Sequence, residues 1–357
     1  MRSILVGCAF VLIVTGCPKG SEKTPVDPPG RKDAAATNPL IPSDDAAALQ
    51  LPPAPPLPDV PAGLPPLPAM TATPELAALG ELLFHDARLS ISGTLACASC
   101  HVPAEGYAGA KRQDTAAGKP NLRRAPSLVN LAWETELGWD GRSPSMEALL
   151  GPHVRGQMGD DLPTSIARVA ELPLYRAHFA RTVTSSADAA TTARLALEAF
   201  VLTRFSGGAP WDKLEKDPAL PANLKTGYQV FTGKAQCASC HPPPLYTDHA
   251  YHRLGIIATH DEGRGRTGDK TKLGAFRTPG LRGAARRTGF FHDASARTLA
   301  SAIDWHLAGG VGQGADRSII DPALTAVTLT ADERANLGAF VEALTETSPA
   351  PTAPALP

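Results

Sequence analysis

The sequence predicts an all-α protein in two halves with long loops, and three observations predict it. No stretch of the 357 residues shows the sustained apolar–polar alternation of a strand, whereas several windows carry helical periodicity behind capping signals. The pentapeptide Cys97-Ala98-Ser99-Cys100-His101 returns letter for letter as Cys237-Ala238-Ser239-Cys240-His241, with enough chain between the copies to build a domain around each. Aromatic residues make up only 5% of the chain, few for a large core unless a bound group adds apolar surface.

The elements follow in order. Arg2 and the apolar run over residues 4–14, which contains Cys8, have the pattern of an export signal over 1–16. The run is too short to span a bilayer. It closes on Val14-Thr15-Gly16-Cys17, which looks like a bacterial lipobox; cleavage before Cys17 would leave that thiol to carry diacylglycerol. Residues 17–72 are rich in Pro and Ala, and proline fixes φ and removes a donor, so a disordered, solvated tether is expected there.

Folded chain is expected from residue 73. Thr73 caps, Pro74 takes N1, and Leu76, Leu79, Leu82 and Leu83 form one stripe. Ser143-Pro144-Ser145-Met146-Glu147 heads a short helix to Leu150. Further helices are expected over 191–205, over 224–231 leading into the second pentapeptide, and over 298–307. Thr330-Ala331-Asp332-Glu333 is a capping box opening a helix through Leu337, Phe340, Val341 and Leu344. Ser206-Gly207-Gly208-Ala209-Pro210 breaks the chain into halves of 73–206 and 207–346, with a disordered tail over 347–357.

C-x-x-C-H is the attachment motif of a c-type haem. The two thiols form thioethers with the haem vinyls, and the adjacent histidine takes an axial position on iron. Two intact copies predict two covalently bound haem c groups, held by Cys97, Cys100 and His101 and by Cys237, Cys240 and His241. Of six cysteines, four go to haem, Cys8 to the export signal and Cys17 to lipid, leaving none for a disulfide. Haem attachment occurs outside the cytoplasm, so the expected location is the periplasm or cell envelope. The membrane would be touched only through the lipid on Cys17. The formal charge of −1 gives no reason to expect a nucleic-acid partner.

The order of motifs resembles the bacterial di-haem cytochrome c peroxidase family, particularly its MauG-type branch. The match is carried by Leu82-Leu83-Phe84-His85-Asp86-Ala87-Arg88-Leu89-Ser90, Arg124-Ala125-Pro126-Ser127-Leu128-Val129-Asn130 and Trp139-Asp140-Gly141-Arg142. In the second half it is carried by Phe276-Arg277-Thr278-Pro279-Gly280-Leu281-Arg282 and Phe290-Phe291-His292-Asp293. The resemblance implies two cytochrome c-like haem domains. The N-terminal haem, with His101 proximal, is where hydrogen peroxide would react. The C-terminal haem, with His241, would transfer electrons, and Trp139 would bridge the two; an ordinary core tryptophan is the alternative. The donor would be a small c-type cytochrome or a cupredoxin. The family is often dimeric, so a homodimer is an expectation of the resemblance alone.

The family places the sixth ligand of the second haem fourteen residues after the histidine of its F-H segment. Fourteen beyond His292 is His306, and no methionine follows Cys240. His241/His306 ligation is therefore expected, which lowers the potential relative to His/Met. Tyr246, Tyr251, His249, His252 and His260 are lesser candidates, and His292 is expected beside the ligands. At the first haem, the family's distal histidine falls on Ala117, which cannot ligate, so an open iron is expected.

Two departures matter. Where the family has a glutamate over the open face, this chain has Gln157, in a segment one residue shorter. An amide cannot accept peroxide's proton, and losing a general acid/base costs about 10²–10⁴-fold in rate. His153 is the alternative proton carrier, or else a loop histidine. Arg124 stands where the family's calcium site uses an asparagine, which makes calcium doubtful, although backbone carbonyls near Thr278 and Gly280 could contribute. The enzymatic reading is a di-haem peroxidase that reduces hydrogen peroxide to water. The alternatives are a non-enzymatic di-haem electron carrier or sensor, and a MauG-like oxidase of a partner protein.

Overall fold

The computed structural model describes residues 50–182, 188–215, 217–256, 260–312 and 314–356. The expected export signal, Cys17 and most of the tether lie outside the described residues. All described residues belong to one compact unit.

The first half opens on α1 (Pro74–His85). The Thr73 hydroxyl accepts the Leu76 N–H at 3.2 Å, and Pro74 occupies the first turn, where no N–H is missed. A single turn, α2 (Cys97–Cys100), carries the first pentapeptide. Then follow α3 (Met146–Met158), α4 (Leu162–Ala167), α5 (Pro173–Thr182) and α6 (Ala189–Leu202), the last capped by the Asp188 carboxylate. Their core runs from Leu76 through Phe84, Ile166 and Tyr175 to Phe200. The second half has α7 (Pro210–Leu214), α8 (Ala222–Thr232), a 3-10 turn at Cys237–Ser239, α9 (Leu299–Leu307) and α10 (Ala331–Glu342). Trp211, Phe231, Tyr246, Leu337, Phe340 and Leu344 form its core. Among the described residues, named strands amount to β1 (Tyr251–His252) paired antiparallel with β2 (Phe276–Arg277).

The two halves repeat one packing device. A Cβ added at Gly80 of α1 would lie 2.0 Å from the Ala196 carbonyl oxygen and 2.8 Å from Phe200 Cβ on α6. A Cβ at Gly227 of α8 would lie 2.1 Å from the Asn336 carbonyl oxygen and 2.8 Å from Phe340 Cβ on α10. In each half, then, the helix before the pentapeptide crosses the last helix with backbone against backbone. Only glycine permits that approach. Both crossings set a Phe four residues beyond the contact, so the Cys-x-x-Cys-His turn is hung from the same corner twice.

Several expectations need correction. The helix starting at Met146 continues to Met158 and does not stop at Leu150. Met146, Leu150, Val154 and Met158 are all buried, and their four-residue spacing keeps one apolar face continuous past Pro152. The sequence reading does not include α4 and α5: α4 is only six residues long, and the apolar pattern of α5 is broken by Arg176, His178 and Arg181. Residues 50–72 are irregular, as the composition implies, yet they are seated on the body. The Pro52 carbonyl accepts from Arg181 Nη1 at 2.7 Å and the Pro66 carbonyl from the Trp133 indole at 3.1 Å. The Ala62 carbonyl accepts from the Gly208 N–H at 2.7 Å, and the Gly63 carbonyl from Arg282 Nη2 at 2.5 Å. Extended proline-rich chain leaves its carbonyls unpaired, and donors on the body take them.

Arg282 also anchors the second half. Its guanidinium forks onto the Asp212 carboxylate with two bonds of 2.8 Å, and its Nε donates to the Pro244 carbonyl at 2.7 Å. Both side chains are almost fully buried, at 2% and 4% exposure.

Candidate functional site

The first pentapeptide sits on α2, where Ser99 Oγ accepts the Ala96 N–H at 3.0 Å. His101 is buried. Its Nδ1 lies 3.0 Å from the Pro126 carbonyl and 3.2 Å from the Tyr107 carbonyl, so Nδ1–H donates and Nε2 keeps its lone pair. Burial pushes His101 down to about 4, with help from His153, which keeps the imidazole neutral as a ligand must be. His153, on α3, faces it: the two ring centroids are 6.3 Å apart with the planes at 55°. Burial also lowers His153, and the charge of Arg142 adds to it.

Gln157 is committed elsewhere. Its amide and that of Asn121 pair reciprocally, at 2.8 and 3.1 Å. Its backbone carbonyl accepts the Ala116 N–H at 2.8 Å. Gln157 thus fastens the loop containing Ala117 to α3, and the ring opposite His101 belongs to His153. Gln157 is the residue expected over the iron, and in this structure its neutral amide has a matched amide partner in Asn121.

At the second pentapeptide, His241 Nδ1 donates to the Tyr246 carbonyl at 2.9 Å, and burial pushes His241 down to about 4. His306 on α9 points its Nδ1 at the Ala302 carbonyl one turn back, at 2.8 Å, leaving Nε2 free to face His241. Burial holds His306 below its ordinary value. The two centroids are 6.4 Å apart, with the planes at 70°. The lesser candidates have other work. Tyr246 offers its carbonyl to His241, and Tyr251 donates to Glu136 at 2.5 Å. His249 meets Glu134 at 2.8 Å, while His252 is held between Asp248 and Asp321. His292 stacks on Phe276 at 3.7 Å and lines the same cavity as His306.

That cavity is walled by Phe231, Leu254, Leu281, Phe291, Ile303 and Val341, with Cys237, Cys240, His241 and His306 on its surface. Arg124, Arg277 and Arg287 also line it. Burial pushes Arg287 down to about 10; burial and the nearby Arg287 push Arg124 down to about 9. Arg287 Nε is buried without a hydrogen-bond partner among the described residues. Arg277 pairs with Glu134, but Arg124 and Arg287 have no carboxylate ion pair among the described residues, and such buried cations call for anions. Two thiols, two neutral imidazoles, apolar walls and unneutralised guanidiniums match a haem, whose macrocycle is apolar and whose propionates are anionic. The arginines were not found from the sequence, since nothing in their local pattern marks them as buried.

Trp139 lies between the sites. It is buried and lines the second cavity, and its indole donates to the Arg124 carbonyl at 2.8 Å. Two residues further along that segment, the Pro126 carbonyl holds His101. The Arg277 N–H donates to the Trp139 carbonyl at 2.9 Å, and the Arg124 guanidinium lies 5.1 Å over the indole. Around this seam, Glu134 pairs with Arg277, and Arg123 pairs with both Asp140 and Asp261.

Burial alone would raise the Glu134 carboxyl, but the His249 hydrogen bond and the Arg277 charge hold it below the carboxylate range. Asp140 and Asp261 are likewise lowered against burial, by arginines. A carboxyl lowered in the folded state contributes stability above its unfolded pKa and loses it as pH falls through the folded one. The thermal midpoint is therefore expected to hold level from about pH 7 to 5 and to fall steeply below about pH 4. A melting series should show that acid limb flattened in Glu134→Gln, and an unchanged limb would remove Glu134 from the account.

A family model described as di-haem cytochrome c peroxidase matches residues 74–219. The chain is 34% identical over 294 residues to the methylamine utilization protein MauG of Methylorubrum extorquens, covering 80% of this chain and 82% of that protein. It is 30% identical over 343 residues to the cytochrome-c peroxidase IdrP1 of Denitromonas iodatirespirans, covering 85% and 89% respectively. Among solved structures it is similar to a MauG-like protein associated with microbial copper homeostasis. That match has a TM-score of 0.72 and 26% identity, and covers 81% of this chain and 95% of the other.

Proposed function

This chain belongs to the di-haem cytochrome c peroxidase family, and from that premise we propose that it reduces hydrogen peroxide to water with two electrons drawn from a small redox protein. The observation that carries the reading is the doubled site. Each identical pentapeptide sets a neutral histidine, oriented through Nδ1, against a second histidine at nearly the same spacing. Haem iron, when bound, supplies the redox chemistry that cleaves the O–O bond.

The residues divide the remaining work. Cys97, Cys100, Cys237 and Cys240 hold the two haems covalently as thioethers. His241 and His306 would hold the second haem's iron, and two imidazole donors would keep its potential low, as fits an electron-transfer centre. Arg124 and Arg287 offer charge to propionates. Trp139, tied at its indole to the segment that holds His101, would lie on the electron path to the first haem, where peroxide reduction would take up two electrons and two protons. Gln157 positions the loop over α3, so His153 is the titratable group left to move a proton there. The two halves around residues 73–206 and 207–346 are read as two cytochrome c-like haem domains. The chain is further read as a lipoprotein of the cell envelope or periplasm, anchored through Cys17 and served by a c-type cytochrome or cupredoxin.

The test uses the matured holoprotein. A pyridine haemochrome assay should count two haems per chain, and peroxide should oxidise two equivalents of reduced c-type cytochrome per molecule consumed. Two haems with no cytochrome oxidation would favour the carrier reading. Oxidation of a partner protein without water-forming turnover would favour the MauG-like one.

A further inference from the structure

We propose that His153 is the resting sixth ligand of the first haem, so that both irons are held between two histidines and α3 must release one of them before peroxide can bind. The inference rests on the two-haem reading above and deepens it at one site.

The spacing carries the argument. Two metal–imidazole bonds of about 2 Å each, with each ring centre about 1.1 Å behind its ligating nitrogen, put two centroids about 6.2 Å apart across one metal. The His241–His306 pair stands at 6.4 Å and the His101–His153 pair at 6.3 Å. At each proximal histidine the Nδ1 is taken by a backbone carbonyl, which turns Nε2 toward the partner ring. A histidine acting only as a proton carrier would stand further back. Peroxide on the iron needs one metal–oxygen bond and then a hydrogen bond of about 2.8 Å to the imidazole, so the second nitrogen would retreat by well over an ångström. The observed spacing leaves no room for that molecule.

The helix bearing His153 is built to yield beside it. Pro152 has no N–H, so the Ala148 carbonyl lacks its partner one turn later. Gly151 and Gly156 flank the pair, and a Cβ at either would meet nothing within 4 Å, so packing does not require glycine there. A proline between glycines weakens the helix at this turn. The end of α3 is meanwhile pinned, with the Met158 carbonyl accepting the Ile91 N–H at 2.8 Å and Gln157 tied to Asn121 and Ala116. Release can therefore be local. On release the His153 Nε2 would give up iron with its lone pair returning to the ring, and the freed imidazole would be placed to take peroxide's proton.

EPR of the ferric holoprotein tests this. Wild type should show two low-spin haems and no high-spin signal. His153→Ala should convert one of them to high-spin, leave the other unchanged, and return to low-spin on adding imidazole. Cyanide should bind that haem about 10–100-fold faster, since the open fraction no longer limits the encounter. If the alanine variant folds poorly, His153→Met should replace one bis-histidine signal with a histidine–methionine one. Two haems by pyridine haemochrome with one already high-spin in wild type would overturn the ligation and spare the di-haem reading. An unchanged spectrum in His153→Ala would do the same. A count below two would bring down both.

Discussion

Replacing Cys97 and Cys100 together with serine is expected to halve the covalent haem content, from two per chain to one, and to abolish peroxide turnover. A serine hydroxyl forms no thioether. Without that bond the first haem would be held only by axial nitrogen. Cys97 is half-buried and packs on the first core, and its thiol is pushed up to about 12, by desolvation first and then by Cys100. It is thus a protonated, unreactive thiol until haem meets it. The remaining haem, at Cys237 and Cys240, should still accept electrons, so reducible haem persists while turnover is lost. The reciprocal change at Cys237 and Cys240 should leave the first haem attached but cut off from its donor. Mass spectrometry and haem staining of both variants check the count. Two covalent haems in either double-serine protein would end the thioether assignment.

The second large effect is on stability. Asp212→Ala should cost about 3–5 kcal/mol, because it leaves the Arg282 guanidinium buried without its countercharge. The Asp212 carboxylate also accepts the Ala209 N–H at 3.0 Å and so caps α7. Arg282 lies 5.5 Å over the Tyr246 ring, and the Tyr246 carbonyl holds His241. The loss should therefore reach the second haem, seen as a broadened low-spin signal as well as a lower midpoint in denaturant. Asp212→Asn keeps the shape and one acceptor, and should cost less. Equal stability in Asp212→Ala and wild type would show that Arg282 finds a sufficient partner in the carbonyls of Gly63 and Pro244.

Much of this was legible in the chain, for stated reasons. Thr73 and Thr330 announce α1 and α10 because a capping hydroxyl and its partner lie within three residues, a purely local signal. The pentapeptides declare themselves because thioether chemistry fixes their spacing. His306 was reached by counting from His292, and the structure sets it 6.4 Å from His241. What stayed hidden is nonlocal. Nothing near Gly80 or Gly227 reveals that a carbonyl from a helix more than a hundred residues away will press against it. Gln157 stands in the place of the family's glutamate, and its pairing with Asn121 is hidden because Asn121 lies in a loop with no pattern. The helix expected to end at Leu150 runs on past Pro152 because its buried face continues from Met146 to Met158, bringing His153 opposite His101.

The segment over residues 50–72 has a consequence for how current flows. It is fastened at Arg181 and Trp133 on one side of the Gly208 junction, at Gly208 itself, and at Arg282 on the other. Swinging one half against the other would break bonds on both sides of the pivot at once. If electrons pass by Trp139 as proposed, the gap they cross would be held fixed by these bonds whichever donor docks. Throughput would then respond to driving force rather than to any change in distance.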